Sequence, residues 1–224
     1  MRQALLPFLF ILMSFHSPSQ EDLSIGVFGG TSHYLGDYNK TNPFYSPSVG
    51  YGFVLKNDYN KRYSLKVMVA RETLQGDVND FDDFFYPSNP GNLRTKNSFN
   101  TKFWDISATI EFNFLPYDVF NFRKENFTPF MFLGLGTDFF LTNENFNFPL
   151  TIPFGLGIKY NIFERFSIGF EWNARKVFFD SMDGVRTIND NISNIHNDDW
   201  YHMGFVFITY KPFAKHIACP TYED

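Results

Sequence analysis

The chain has 224 residues, a formal net charge of −5 and a single cysteine, Cys219. That length suits one domain with a substantial buried region, the charge gives no reason to expect a nucleic-acid partner, and one cysteine excludes a disulfide framework. Hydrophobic residues make up an ordinary 44%, but aromatic residues make up 21%, with 31 Phe and 12 Tyr; lipid-facing bands and interfacial girdles would account for that surplus.

Residues 1–19 read as a secretory signal peptide. Arg2 supplies the positive charge, Ala4 to Phe15 is an apolar run too short to span a bilayer, and Ser17-Pro18-Ser19 offers small residues for cleavage before Gln20. No cysteine near that point suggests a lipid anchor. Beyond residue 20 no apolar run has the length of a transmembrane helix, so the mature chain is either soluble beyond the inner membrane or a barrel.

Alternation then organises the chain. A first strand sets Leu23, Ile25 and Val27 against Ser24, Gly26 and Phe28 and runs to about Tyr34; Gly36-Asp37 opens a loop containing Asn42-Pro43. A second strand sets Val49, Tyr51, Phe53 and Leu55 against Ser48, Gly50, Gly52 and Val54, followed by a polar turn from Asn57 to Arg62. A third places Tyr63, Leu65, Val67 and Val69 opposite Ser64, Lys66, Met68 and Ala70 and ends near Gly76-Asp77. Val78 to Asn100, with Asp80, Asp82, Asp83, two prolines and a glycine, reads as a long loop. The fourth strand has Trp104, Ile106, Ala108, Ile110, Phe112 and Phe114 on one side, with Asp105, Ser107, Thr109, Glu111 and Asn113 on the other. Leu115 to Thr128 is a connection, and Phe130 to Phe140 a fifth strand of ambiguous facing. Leu141 to Pro149 is a short loop.

Thr151 to Asp180 reads as a hairpin. Ile152, Phe154, Leu156, Ile158 and Tyr160 alternate with Pro153, Gly155, Gly157 and Lys159; after the turn Asn161 to Glu164, Phe166, Ile168, Phe170 and Trp172 alternate with Ser167, Gly169, Glu171 and Asn173. Asp180 to Asp198 is another long polar loop, and Trp200 to Tyr210 a last strand of ambiguous facing. Alternation alone does not say which face meets solvent. The small or charged face of the hairpin suits a narrow lumen, and its wide apolar face with aromatic ends suits lipid. The expectation is an all-β protein: an eight-stranded antiparallel transmembrane β-barrel over residues 20–213, with short periplasmic turns, longer extracellular loops and a periplasmic tail at 214–224.

Several short motifs carry a family likeness. They are Gly29-Gly30 with Tyr34 and Gly36-Asp37, Glu111-Phe112-Asn113-Phe114 with Pro116-Tyr117, and Thr128-Pro129-Phe130 with Phe132, Gly134 and Gly136. Further on are Pro153-Phe154-Gly155 with Gly157, Lys159 and Tyr160, then Gly169-Phe170-Glu171, Arg175, Phe179-Asp180, Asp183 and Asp198-Asp199-Trp200-Tyr201. In order and spacing the chain resembles the PorG-like outer-membrane barrel proteins of Bacteroidota, associated with type IX protein secretion. Its Leu141 to Pro149 loop is shorter than that family's. The resemblance implies a non-enzymatic role in a Gram-negative outer membrane. Such a protein would tie a periplasmic ring, built from a lipoprotein and its partner protein, to the membrane. The alternatives are a free-standing small barrel, adhesin-like or a small channel, and a soluble secreted barrel binding an apolar ligand with Phe154, Phe170 and Trp172 inside.

Two residue sets stand out. Lys66, Glu111, Glu171 and Arg175 lie on the polar faces and read as a structural ion-pair network filling the lumen, with a proton path or gate as the functional alternative. Tyr117, Phe120, Phe122, Arg123 and Lys124 lie on the longest periplasmic connection; exposed aromatics beside Arg suit a partner interface, and equally a membrane girdle. Asp77, Asp80, Asp82, Asp83, Asp180, Asp183, Asp198 and Asp199 lack the spacing of a calcium loop and read as a solvated rim. Ser32, His33, Asp198, Asp199 and His202 do not have the pattern of a catalytic triad. No catalytic, metal or cofactor site is expected, and Cys219 reads as a bystander.

Overall fold

The computed structural model describes residues 23–35, 44–77, 98–119, 124–142, 145–178 and 200–212. The expected signal peptide at 1–19 and the expected tail at 214–224 lie outside these. Among the described residues are nine strands: β1 (Leu23–Leu35), β2 (Ser48–Asp58), β3 (Tyr63–Asp77), β4 (Ser98–Asn113), β5 (Phe127–Thr142), β6 (Asn145–Asn147), β7 (Leu150–Phe163), β8 (Phe166–Val177) and β9 (Trp200–Tyr210). Each barrel strand pairs antiparallel with its neighbours, and β1 pairs with both β2 and β9, which closes the sheet into an eight-stranded barrel. Closure leaves no unpaired edge, the condition for a sheet to cross a membrane.

Short β6 is not a ninth stave. It pairs with the far end of β5 in the register that β7 continues, so β6 and β7 are one strand broken at Phe148-Pro149. This corrects the expectation of a loop from Leu141 to Pro149: β5 extends to Thr142, and residues 143–144 alone separate the paired segments. A proline in the chain hid the continuity, because it cannot donate to the ladder.

Both described ends, Leu23 and Pro212, lie at one end of the barrel with the turns 59–62 and 164–165 and the connection 114–126. We call this the turn end and the opposite one the loop end. Ile25, Val27, Ile110, Leu133, Leu156, Ile158 and Phe170 point outward and are exposed, whereas Asp105, Glu111, Lys159, Glu171 and Arg175 point inward and are buried. An apolar exterior around a polar interior is the arrangement of a transmembrane barrel. It overturns the soluble-barrel alternative, since Phe154, Phe170 and Trp172 are all on the outside.

The interior also holds much of the aromatic surplus. Phe28, Phe103, Phe130, Phe132, Phe205 and Phe207 are buried inside, so lipid-facing bands and girdles account for only part of it. The reason is lateral pairing with glycine. Phe130 stands opposite Gly157, Phe132 opposite Gly155 and Phe207 opposite Gly169. A Cβ on Gly157 or Gly169 would collide with the ring laid across it. Rings covering glycines fill the narrow bore without widening the barrel. The same pairing settles the facing of β5 and β9, whose apolar character on both sides hid their orientation.

Candidate functional site: the lumen and its turn-end mouth

Inward positions on β3 run Ser64, Lys66, Met68, Ala70, Glu72, Leu74, which alternates polar and apolar zones along the bore. Toward the turn end lies a basic network. Lys66 Nζ is 2.5 Å from Glu171 Oε2 and 3.3 Å from Glu111 Oε1. Glu111 Oε2 also takes Lys159 at 2.9 Å and Lys56 at 3.2 Å. Lys56 and Lys211 reach Asp58 at 3.5 and 3.4 Å. Four lysines therefore share three carboxylates. Glu111 is the hub, because β4 presents it opposite Ser64 of β3 and Phe132 of β5, within reach of lysines from three strands. The aromatic zone above contributes as well: Lys66 Nζ lies 4.3 Å from the Phe132 ring centroid and Lys159 Nζ 4.8 Å from that of Phe130, close enough for cation–π attraction.

Toward the loop end the balance inverts. Glu72, Asp105 and Asp138 are buried around one guanidinium, Arg175. Arg175 is paired with Asp105 and donates to Ser107 Oγ at 3.3 Å. Tyr201 Oη donates to Asp138 Oδ1 at 3.0 Å. Among the described residues, both Glu72 oxygens and Asp138 Oδ2 have no hydrogen-bond partner. Farther out, Tyr34 packs edge-on against Phe99 at 4.9 Å and Phe103 against Tyr201 at 5.5 Å, which caps this zone with rings.

The turn-end mouth is plugged by the β4–β5 connection. Tyr117 is only 5% exposed and Val119 4%. The Tyr117 hydroxyl forms a hydrogen-bonded triangle with Asn161 and Ser167, 2.8 Å from Ser167 Oγ. Burial pushes its phenol pKa up to about 12, so it stays a hydrogen-bonding group at any ordinary pH. The base of the connection is tied to neighbouring turns. Tyr117 N–H donates to Lys61 O at 3.1 Å, Asn161 N–H to Asn126 O at 2.8 Å and Asn161 Nδ2 to Asp118 O at 2.9 Å. Lys61 Nζ donates to Glu125 Oε2 at 2.6 Å on the surface, and that bond raises the ammonium pKa.

The network thus differs from the sequence reading in its pairing. Lys66, Glu111 and Glu171 come together, but Arg175 does not join them and binds Asp105. Five further members, Lys56, Asp58, Lys159, Lys211 and Asp105, were missed. Lys159 and Asp105 were already on the polar faces, so alternation could have found them; Lys211 lies past the end of a strand and had no signal. Tyr117 is not an exposed aromatic, which removes it from the partner surface; Lys124 is exposed, and Phe120, Phe122 and Arg123 lie outside the described residues. Ser32 points inward and donates to Thr73 O at 2.6 Å, while His33 lies on the outer face against Phe44, so adjacency in sequence does not make them a catalytic pair. His202 stacks on Trp172, also outside. Asp198 and Asp199, like most of the acidic loop residues, lie outside the described residues. Among those described, no group of three or more His, Cys, Asp or Glu is arranged to hold a metal ion.

A family model described as "Domain of unknown function (DUF6089)" matches residues 3–221. The chain belongs to that family. Solved structures similar to this DUF6089 chain include Neisserial surface protein A, at 10% identity and TM-score 0.46, with 85% of this chain and 97% of that one covered. Another is the N-terminal β-barrel domain of Pseudomonas aeruginosa OprF, at 10% identity, TM-score 0.41 and coverage of 84% and 97%. A third is Ail, the attachment invasion locus protein of Yersinia pestis, in complex with the heparin analogue sucrose octasulfate, at 11% identity, TM-score 0.42 and coverage of 84% and 95%. Comparison with curated proteins finds no match.

Proposed function

We propose that this chain is a non-enzymatic outer-membrane barrel serving as a structural component of a type IX protein secretion machine. It would link a periplasmic ring, made of a lipoprotein and its partner protein, to the membrane. The observation that carries this reading is the filled lumen. Among the described residues, Glu111 bonded to three lysines, with Tyr117 buried at the mouth beside it, fills the bore toward the turn end with side chains. That disfavours a small channel, so the work of the barrel falls to its end surfaces. With the turn end toward the periplasm, the β4–β5 connection is longer than the turns 59–62 and 164–165, and its base is held by the bonds to 61 and 161 described above. The motif likeness to PorG-like proteins supplies the nature of the partner.

Mild-detergent co-purification tests the reading. Periplasmic ring proteins should come down with the tagged barrel. Replacing Phe120, Phe122 and Arg123 together with Ser should leave a folded barrel, still shifting in gel mobility on heating, while ring association and secretion are lost. If no ring protein co-purifies with the unaltered chain, the free-standing barrel is the better description. If secretion survives the triple replacement but fails on deletion of 78–97, the contact lies at the loop end.

A further inference from the structure

The outer wall of β3 and β4 changes character near the loop end. Toward the turn end its outward positions are apolar, ending with Val69 opposite Ile106. The next outward pair is Arg71 with Trp104, the one after is Thr73 with Lys102, and then Gln75 with Asn100. The Arg71 guanidinium lies 5.4 Å from the Trp104 ring centroid. Arg71 and Lys102 are diagonal neighbours across the two strands, so their backbones are about 7–8 Å apart. Lys102 is exposed, and among the described residues neither cation has a carboxylate partner. The nearest acidic residue on this wall of β3, Asp77, stands four residues beyond Thr73, about 14 Å along the strand.

The other basic side chains on outward positions at this level are less accessible. Lys176 is buried, with its ammonium 4.9 Å from the Trp200 ring centroid. His33 packs edge-on against Phe44, and His202 stacks on Trp172. At the loop-end level of the described wall, accessible positive charge without a carboxylate partner among the described residues therefore meets the edge of the apolar band at β3–β4. Two cations at the level where acyl chains end need an anion, and the anion at that depth is a lipid phosphate. The exposed Trp104 ring gives a flat interfacial surface beside them. Immediately outward, the Gln75 and Asn100 side chains present amides, joined at 3.5 Å, at the height of a headgroup's hydroxyls.

We propose that Arg71, Lys102 and Trp104 form a binding site for a phosphorylated glycolipid of the outer leaflet. The phosphate sits between the two cations, the sugar lies against Trp104 below the amides, and the acyl chains run down past Val69 and Ile106. The site rests on the outer-membrane location and is independent of any role in secretion.

The test is native mass spectrometry of the full barrel released from phosphatidylcholine nanodiscs doped with either monophosphorylated lipid A or phosphatidylglycerol. The unaltered chain should retain lipid A in preference to phosphatidylglycerol. Replacing both cations (R71Q/K102Q) should weaken lipid A retention by about tenfold or more, as expected for losing two charges near an anionic headgroup. Lys102→Gln alone removes an exposed side chain with no carboxylate partner among the described residues, so folding is not at stake, and a several-fold loss is expected. Retention of lipid A by the single and double variants at the level of the unaltered chain overturns the site. Equal retention of phosphatidylglycerol overturns the glycolipid and leaves a site for any anionic headgroup. Neither result bears on ring co-purification.

Discussion

The two charged zones of the lumen solve one problem in opposite ways. Each contains a like-charged pair set directly opposite across adjacent strands: Lys56 and Lys66 toward the turn end, Asp105 and Asp138 toward the loop end. Such pairs are unfavourable by themselves. In the basic zone Glu111 reaches between the two lysines, at 3.2 and 3.3 Å, and the remaining charges are shared among close partners. In the acidic zone Arg175 takes Asp105 and Tyr201 takes Asp138, while neither oxygen of Glu72 has a hydrogen-bond partner among the described residues. The basic zone is a closed set of ion pairs; the acidic zone depends on a single cation. Breaking a buried pair by removing one partner is costly, whereas removing a buried polar group that has no partner is not. Loss of Glu111 and loss of Glu72 should therefore change stability with opposite signs.

The largest effect should come from Arg175→Met, which takes from buried Asp105 its salt-bridge partner. Unfolding in urea from lipid vesicles should show a loss of about 3–5 kcal/mol, and a loss below about 1 kcal/mol would mean that the acidic zone is neutralised by something other than Arg175. Glu111→Gln comes next, because it takes the shared counter-charge from three lysines at once. A destabilisation of about 2–3 kcal/mol is expected in the same assay; an unchanged midpoint would show the basic zone to be as loosely balanced as the acidic one. Smallest, and opposite in sign, is Glu72→Met. Replacing a buried carboxylate that accepts no hydrogen bond from the described residues by an apolar chain of similar length should stabilise the barrel by about 1 kcal/mol. A clear destabilisation would erase the distinction between the zones, by showing that Glu72 holds a partner as firmly as Glu111 does.

Much of the barrel was legible because strand periodicity is local. Trp104 to Phe114 alternates so strictly that its two faces can be read without any neighbour, and Gly155 and Gly157 beside Lys159 already indicated a narrow polar bore. Where both faces are apolar, as at Phe130 to Phe140 and Trp200 to Tyr210, period-2 reasoning has nothing to distinguish. The answer lay on the adjacent strand, in the glycine that makes room for each ring.

By itself the sequence determined the strand count, the antiparallel order, the inward facing of Lys66, Glu111 and Glu171 and the exclusion of helices as the membrane-crossing element. Each follows from spacing along one chain: alternation for the faces, strand length for the crossings and turn residues for the boundaries. Only the tertiary structure decided who pairs with whom. Arg175 meets Asp105 and not Glu171, although Glu171 is its near neighbour on β8, because barrel closure brings β4 across the bore. Tyr117 is a cork and not an exposed contact, because the mouth it fills is made by β7 and β8, which come more than 30 residues later in the chain. Charge partners in a narrow bore are set by the stagger of closed strands, and that stagger is a property of the whole sheet.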